Sequence, residues 1–391
     1  MRVILMNKNT EVLVAEYHEE AKYFTDILEV KNIDYAPLIV KKASIGDIED
    51  SVNKVLSDWF QGRGIPEGRD KLDMLMDRLN ISSPAVLLDK AFGLSLSDQY
   101  WIKPYDGEVK YEYINFFDND FNDLEFTEAT FTTNGPILSN ITLLTPNNTT
   151  EGVLRKTWVI DKKIRYLLKA GLKSEVLQPF NEVLSSMICE RLGFHHIPYT
   201  IDIVKGNIVS KCACFITTDT ELIPAYQVLK NTNKENAYDN YVKILSDNGI
   251  EKAKEKVDNM FILDYLMLNN DRHLNNFGII RDVNTLKWLD TAPIFDTGNS
   301  LNLLDYSDDE IVIEGNGRFF YNVDSFDNII KRISNLKRID ISKLNGVVEE
   351  FDELLHRHQD ITKMSDGRIN RLCIILNSQI NKLKMLIVTS R

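Results

Sequence analysis

Apolar residues recur at helical spacing in several stretches of the chain. IEDSVNKVLSDWF (48–60) and GRDKLDMLMDRLN (68–80) show it early, and YDNYVKILSDN (238–248) and IEKAKEKVDNMFILDYLML (250–268) later. A last helix is expected over about 369–386. PFNEVLSSMICERLGF (179–194) places Val183, Leu184, Met187, Ile188 and Leu192 on one stripe and closes on Gly193, which suits a helix C-terminal cap. Strand patterns fall at 2–6, 157–160, 164–169, 200–204 and 208–216. FGIIRDVNTLKWLD (277–290) reads as a hairpin turned at 282–285. The aromatic, acidic stretches AFGLSLSDQYWIKP and YEYINFFDNDF read as loops and short turns.

These textures divide the chain into an N-terminal accessory region (1–125), a mainly β region with one helix (126–235) and a mainly helical region (236–391). The implied fold class is α+β, a β-rich lobe followed by a helical lobe, with a cleft between them as the expected binding place. Composition adds that the chain is globular: 43% of its 391 residues are hydrophobic and 27% charged. With 46 basic against 58 acidic residues the net charge is −12, which argues against a dedicated nucleic-acid binder. The basic stretch KRISNLKRIDISK reads as a solvated face. Four cysteines are too few for a disulfide scaffold, and VSKCACF fits a strand better than a zinc site. Asp118, Asp120 and Asp123 read as a solvated acidic turn, without the glycine and distal glutamate of an EF-hand. MRVILMNKNTEV has no signal-peptide pattern, and no window approaches the ~20 apolar residues of a membrane span, so a cytoplasmic protein is expected.

Candidate chemistry concentrates in NNDRHLNNFGIIR (269–281), between a long helix and a strand. Twenty positions beyond Asn276, the apolar PIF delivers Asp296 into the turn Asp296-Thr297-Gly298. Pairing the two flanking strands would bring Asn276 and Asp296 together. Carboxylate and amide oxygens are hard ligands suited to Mg²⁺, which completes its shell with phosphates. Asp271 is left to accept the proton of an attacking hydroxyl or to orient it. Upstream, Lys169 ends a strand pattern and Glu182 opens a helix, a pair able to aim an ammonium at ATP phosphates. TTEGVLRKTW puts Thr149, Thr150 and Gly152 in a turn and Lys156 at a strand start, where glycine permits close backbone approach to phosphate. His273 is expected to bond backbone within its loop, and Arg272 to hold a carboxylate or an incoming phosphate. Asp264, on an apolar helical face, needs a partner, with Arg272, His273 and loop amides on offer.

DRHLNN and TAPIFDTGNSL, with TTEGVLRKTWVIDKKIRYLLKAG, QPFNEVLSSMICERLGF and VSKCACF, resemble the HipA-like serine/threonine kinases over roughly 126–391. The first and second of these stretches are shared more loosely with phosphoinositide kinases. The resemblance implies a two-lobed protein-kinase-like fold and Mg-ATP-dependent phosphorylation of a protein. Asp271 resembles the catalytic aspartate, Asn276 and Asp296 the Mg²⁺ ligands and Lys169 the ATP-binding lysine. Thr149 to Lys156 resemble the phosphate-binding loop, with Thr149 or Thr150 as autophosphorylation candidates. Cys214, Phe215 and Ile216 correspond to the hinge whose backbone faces adenine. The resemblance further implies toxin-like growth inhibition through a translation component, with a cognate antitoxin as partner. The first 125 residues differ from the N-terminal domain of HipA proper. Two other readings stand beside this one: a kinase-fold module that binds nucleotide or a partner without efficient transfer, and a kinase for a lipid or small molecule. The acidic charge and the lack of a basic amphipathic helix disfavour a membrane substrate.

Overall fold

The structure, a computed structural model, describes residues 1–121, 124–132, 135–138, 142–172, 176–301 and 315–389. Asp123 lies outside the described residues. The chain forms two compact units built from interleaved segments. The first comprises residues 1–168, 213–232 and 279–290, and the second residues 169–212, 233–278 and 291–391.

The first unit is organised by a four-stranded sheet in the order Tyr23–Val30, Thr10–His18, Arg2–Asn7, Tyr100–Pro104. Arg2–Asn7 pairs antiparallel with both neighbours, setting Val3 opposite Ala15 on one side and Pro104 on the other. Side chains alternate across a strand, so each face of this sheet gathers its own core. Val3, Leu5, Leu13 and Ala15 pack with Val55, Trp59 and Phe60, partly from the helix Val52–Gln61. Ile4, Met6, Val14 and Trp101 pack with Tyr111, Phe116 and Phe121, and Trp158 and Cys214 lean on the same cluster. Three of the four strands escape the pattern reading, which places a strand at 2–6 alone. Nor is 91–104 simply irregular: YWIKP is a strand, buried over its first three residues.

A second sheet of the first unit orders Trp288–Thr291, Gly278–Asp282 and Thr220–Pro224. The hairpin turn is where the sequence places it, because Asp282 Oδ1 accepts from the Asn284 and Thr285 amides at 3.0 and 2.7 Å. The strand expected over 208–216 stops at Ala213, and Thr220–Pro224 follows separately.

The second unit is mainly helical. The helix Leu177–Leu192 ends on Gly193 at φ 74°, the left-handed cap its sequence calls for. The hairpin Tyr199–Val204 with Asn207–Ala213 follows. The helix Ala253–Met267 is buried along most of its length and leads directly into 269–276. PIF does not continue the Trp288–Thr291 strand but makes a single parallel bridge, Ile294 to His196. A short hairpin, Asn316–Phe319 with Asn322–Ser325, interrupts the helical region unannounced by the sequence pattern. The final helix, Asp366–Thr389, contains an 18-residue window of mean hydropathy 1.2. By length and composition alone it is apolar enough to cross a membrane, contrary to the sequence reading. Leu372, Ile375, Leu376 and Leu383 are nevertheless buried, and the helix packs on Val347–Arg357 and Ala253–Met267.

Candidate active site

In the second unit, Lys169 leaves its strand with the ammonium almost wholly buried. It donates to Glu182 Oε1 at 2.6 Å and to Asp296 Oδ1 at 2.5 Å. Burial alone would lower the lysine pKa, but the two carboxylates outweigh it and hold the ammonium charged well above its ordinary value. Glu182 is fully buried in the second turn of its helix, which begins at Leu177, so it does not open the helix as the sequence pattern suggests. Its other oxygen accepts from the Thr297 amide at 3.1 Å and the Thr297 hydroxyl at 3.0 Å. That hydroxyl also meets Ser185 Oγ at 2.8 Å. The middle residue of Asp296-Thr297-Gly298 thus ties its turn to the helix that carries Glu182. Asn181 adds two bonds from its amide, to the carbonyls of Gly298 (2.8 Å) and Ser300 (2.9 Å).

Asp296 adopts φ 55°. Aspartate tolerates this left-handed region better than most residues, and strained backbone of this kind gathers at functional sites. The turn sets one carboxylate oxygen on Lys169 while the side chain remains 39% exposed.

The loop 269–276 is organised around Arg272, which is completely buried. Its Nε and Nη2 donate to the two oxygens of Asp264, each at 2.9 Å, a bidentate pair. Its Nη1 donates to the Asn276 and Phe295 carbonyls, both at 2.8 Å. One guanidinium nitrogen therefore holds the backbone of Asn276 and that of the residue before Asp296. This is how the two expected metal ligands are brought together, more directly than by strand pairing. Arg272 holds a carboxylate and is not presented to an incoming phosphate. Asp264 is satisfied by Arg272 and by Asn269 Nδ2 at 2.8 Å, without help from His273. His273 accepts at Nδ1 from the Asn275 amide at 3.3 Å, as a loop-bracing residue does.

Asn276 is buried, and its Nδ2 donates to the Asp271 carbonyl at 2.9 Å. Its Oδ1 takes no hydrogen bond from the described residues. An accessible amide oxygen and a partly exposed carboxylate form a hard donor pair of the kind Mg²⁺ takes alongside phosphates. Among the described residues no group of three His, Cys, Asp or Glu side chains could hold a metal alone. Asp271 is about one-third exposed. Asn299 Nδ2 donates to its Oδ2 at 3.0 Å, and Arg318 Nε stands 3.6 Å from its Oδ1. Sequence reasoning passed over both neighbours. Asn299 follows the Asp296 turn by one residue and was open to notice; Arg318 has no local signal.

The remaining expected residues lie in the first unit. Thr149 and Thr150 are buried, with their hydroxyls engaged. Thr149 Oγ1 donates to the Leu94 carbonyl at 2.6 Å, and Thr150 Oγ1 receives Arg69 Nη1 at 2.7 Å. Arg69 also binds the carbonyls of Thr150, Glu151 and Gly152. Burial draws its guanidinium down to about 10. Gly152 has φ 85°, and a Cβ there would sit 2.9 Å from Lys156 Nζ, so a side chain would be both strained and crowded. In the stretch Cys214, Phe215, Ile216, the Cys214 amide donates to the Arg165 carbonyl at 2.8 Å. Burial pushes the Cys214 thiol up to about 11.

A buried lysine–glutamate pair beside an aspartate turn, and an Asp/Asn loop stapled next to it, belong to the architecture of kinase-like folds. No family model matches the chain. It is 33% identical over 137 residues to the serine/threonine-protein kinase CtkA of Helicobacter pylori, across 31% of this chain and 40% of that protein. The match thus spans less than half of that curated relative. Among solved structures, the H. pylori proinflammatory kinase CtkA aligns at 20% identity, over 61% of this chain and 92% of that one, with a TM-score of 0.46. HipA of Shewanella oneidensis MR-1, solved with HipB and operator DNA, aligns over 100% of both chains at 12% identity, with a TM-score of 0.56. The likeness to HipA shows the fold: an α+β chain folded like HipA. The chain is thus similar to a serine/threonine-protein kinase over a stretch of sequence and to HipA in its fold.

Proposed function

We propose that the chain is a Mg-ATP-dependent protein serine/threonine kinase of HipA type. The observation that carries this reading is the Lys169–Glu182–Asp296 cluster, joined through the Phe295 carbonyl and Arg272 to the loop of Asp271 and Asn276. Lys169 orients the ATP phosphates, and Glu182 fixes the lysine. Asp271 receives the proton of the acceptor hydroxyl as its oxygen bonds to the γ-phosphorus and the bond to the bridging oxygen breaks. Asn276 and Asp296 would hold Mg²⁺, which when bound neutralises phosphate charge. Gly152 and Lys156 form the phosphate loop, and Cys214, Phe215 and Ile216 the adenine-facing segment. Autophosphorylation at Thr149 or Thr150 would require release of the hydroxyl concerned, from the Leu94 carbonyl or from Arg69.

CtkA is named a serine/threonine-protein kinase, which supports a protein acceptor; HipA was solved with HipB and DNA, which supports an antitoxin-like partner here. A translation component as target follows from the family resemblance alone. Phosphoproteomics after induction of the wild-type and Asp271→Ala proteins tests the acceptor class. New phosphoserine or phosphothreonine sites should appear with the wild type only. Identical phosphoproteomes, with both proteins expressed and folded, would contradict a protein acceptor.

A further inference from the structure

Arg318 stands beside Asp271 without orienting it. Its Nε lies 3.6 Å from Asp271 Oδ1, too far for a hydrogen bond, whereas Asn299 Nδ2 donates to the other oxygen at 3.0 Å. An ion pair whose side chains are 49% and 34% exposed contributes little to stability. Among the described residues the Arg318 guanidinium has no other partner, so its hydrogen-bond donors are unused.

The backbone beneath it is, by contrast, firmly held. Arg318 lies in the strand Asn316–Phe319, paired antiparallel with Asn322–Ser325. Next in sequence, Phe319 and Phe320 are buried, and Phe319 packs on Phe261 with ring centroids 4.7 Å apart. On the other side, a Cβ at Gly317 would come within 2.6 Å of the Phe326 ring, so that ring lies directly on the strand. Val323, the cross-strand partner of Arg318, is 66% exposed, and such partners share one face of a sheet. The face that carries Arg318 is therefore open among the described residues.

A fixed base, an open face and an unused guanidinium beside the residue that meets the acceptor hydroxyl describe a recognition group. The guanidinium fork suits a carboxylate or a phosphate. Asp271 alone would repel such an anion, and Arg318 supplies the compensating charge next to it. We propose that Arg318 determines acceptor specificity by binding an anionic side chain within about two residues of the phosphorylated serine or threonine, a reach set by ~3.3–3.6 Å per extended residue. This inference rests on the kinase reading above and names the class of acceptor.

The full chain is assayed with Mg-ATP against peptides of one sequence that hold a single serine. Alanine, glutamate, phosphothreonine or lysine is scanned through the two positions on either side. With the wild type, an anionic residue at one of these positions should raise kcat/KM over alanine by about fivefold, and lysine should lower it. A gain with glutamate identifies a carboxylate as the group read; a gain with phosphothreonine alone identifies a phosphate. Arg318→Ala should abolish the preference and leave KM for ATP unchanged. Arg318→Glu should invert the preference in favour of lysine, which a merely structural role for Arg318 could not produce. No anionic preference in the wild type, an undiminished preference in both variants, or the same factor of change for every peptide would overturn the proposal. Label on protein but on no peptide would also count against it, since the flanking residues would then not suffice. No label on protein or peptide would instead overturn the kinase reading, and this inference would fall with it.

Discussion

Arg272 and Asp264 are both buried, and the pair spends its hydrogen bonds on geometry: two between the charges and two to the carbonyls of Asn276 and Phe295. Removing the charge from one member leaves the other buried and uncompensated, which typically costs about 3–5 kcal/mol. Asp264→Asn should therefore lower unfolding stability by about 3 kcal/mol and disorder the 271–276 loop in the same variant. Chemical denaturation and loop-specific hydrogen exchange check both effects. A variant with a wild-type denaturation midpoint and full loop protection would show that the pair is dispensable. The need for a partner at Asp264 was legible, because a carboxylate stood on an apolar helical face. The choice of Arg272 over His273 was not, since it depends on which side chain the loop turns inward.

At the scale of elements, the segment around Arg69 clamps the stretch 150–155. Arg69 binds three successive carbonyls and the Thr150 hydroxyl, the Asp70 amide donates to the Val153 carbonyl at 2.8 Å, and Arg155 Nε donates to Asp70 Oδ2 at 3.1 Å. Arg69→Ala should reduce hydrogen-exchange protection across 150–153 by at least about tenfold, given roughly 1 kcal/mol net per hydrogen bond. Unchanged protection would mean that the turn holds itself. Nothing local announces this clamp, because its partners lie more than eighty positions apart. The helix over 179–194 and the 277–290 hairpin were legible for the opposite reason: a stripe, a capping glycine and an Asp-led turn are encoded within a few residues. The strands Thr10–His18 and Tyr23–Val30 lacked such clarity. The first has a run of four buried residues, VLVA, and the second is mostly exposed, so alternation is weak in both. The lysine–glutamate pair was legible because Lys169 ended a strand pattern and Glu182 fell near the start of a helix pattern, whereas the sharing of Lys169 with Asp296 is set by the tertiary fold.

At the scale of the molecule, neither compact unit is one continuous stretch of chain, and residues 1–125 supply the main sheet of the first. They also supply partners for distant segments. Tyr100 OH accepts from Arg281, which in turn pairs with Glu221 at 2.7 Å. Lys42 donates to the Val228 carbonyl at 2.7 Å. A protein beginning at residue 126 should therefore lack a cooperative melting transition, and a truncation that melts within a few degrees of the full chain would refute this. Function is tested most directly by transfer of radiolabelled γ-phosphate from Mg-ATP to protein. Wild type, Asp271→Ala and Asp296→Ala should be compared after circular dichroism has shown each to be folded. The wild type should incorporate label, and each variant should lose on the order of 10²–10⁴-fold in rate. Equal labelling by all three folded proteins would contradict the assignment of Asp271 and Asp296 to the reaction.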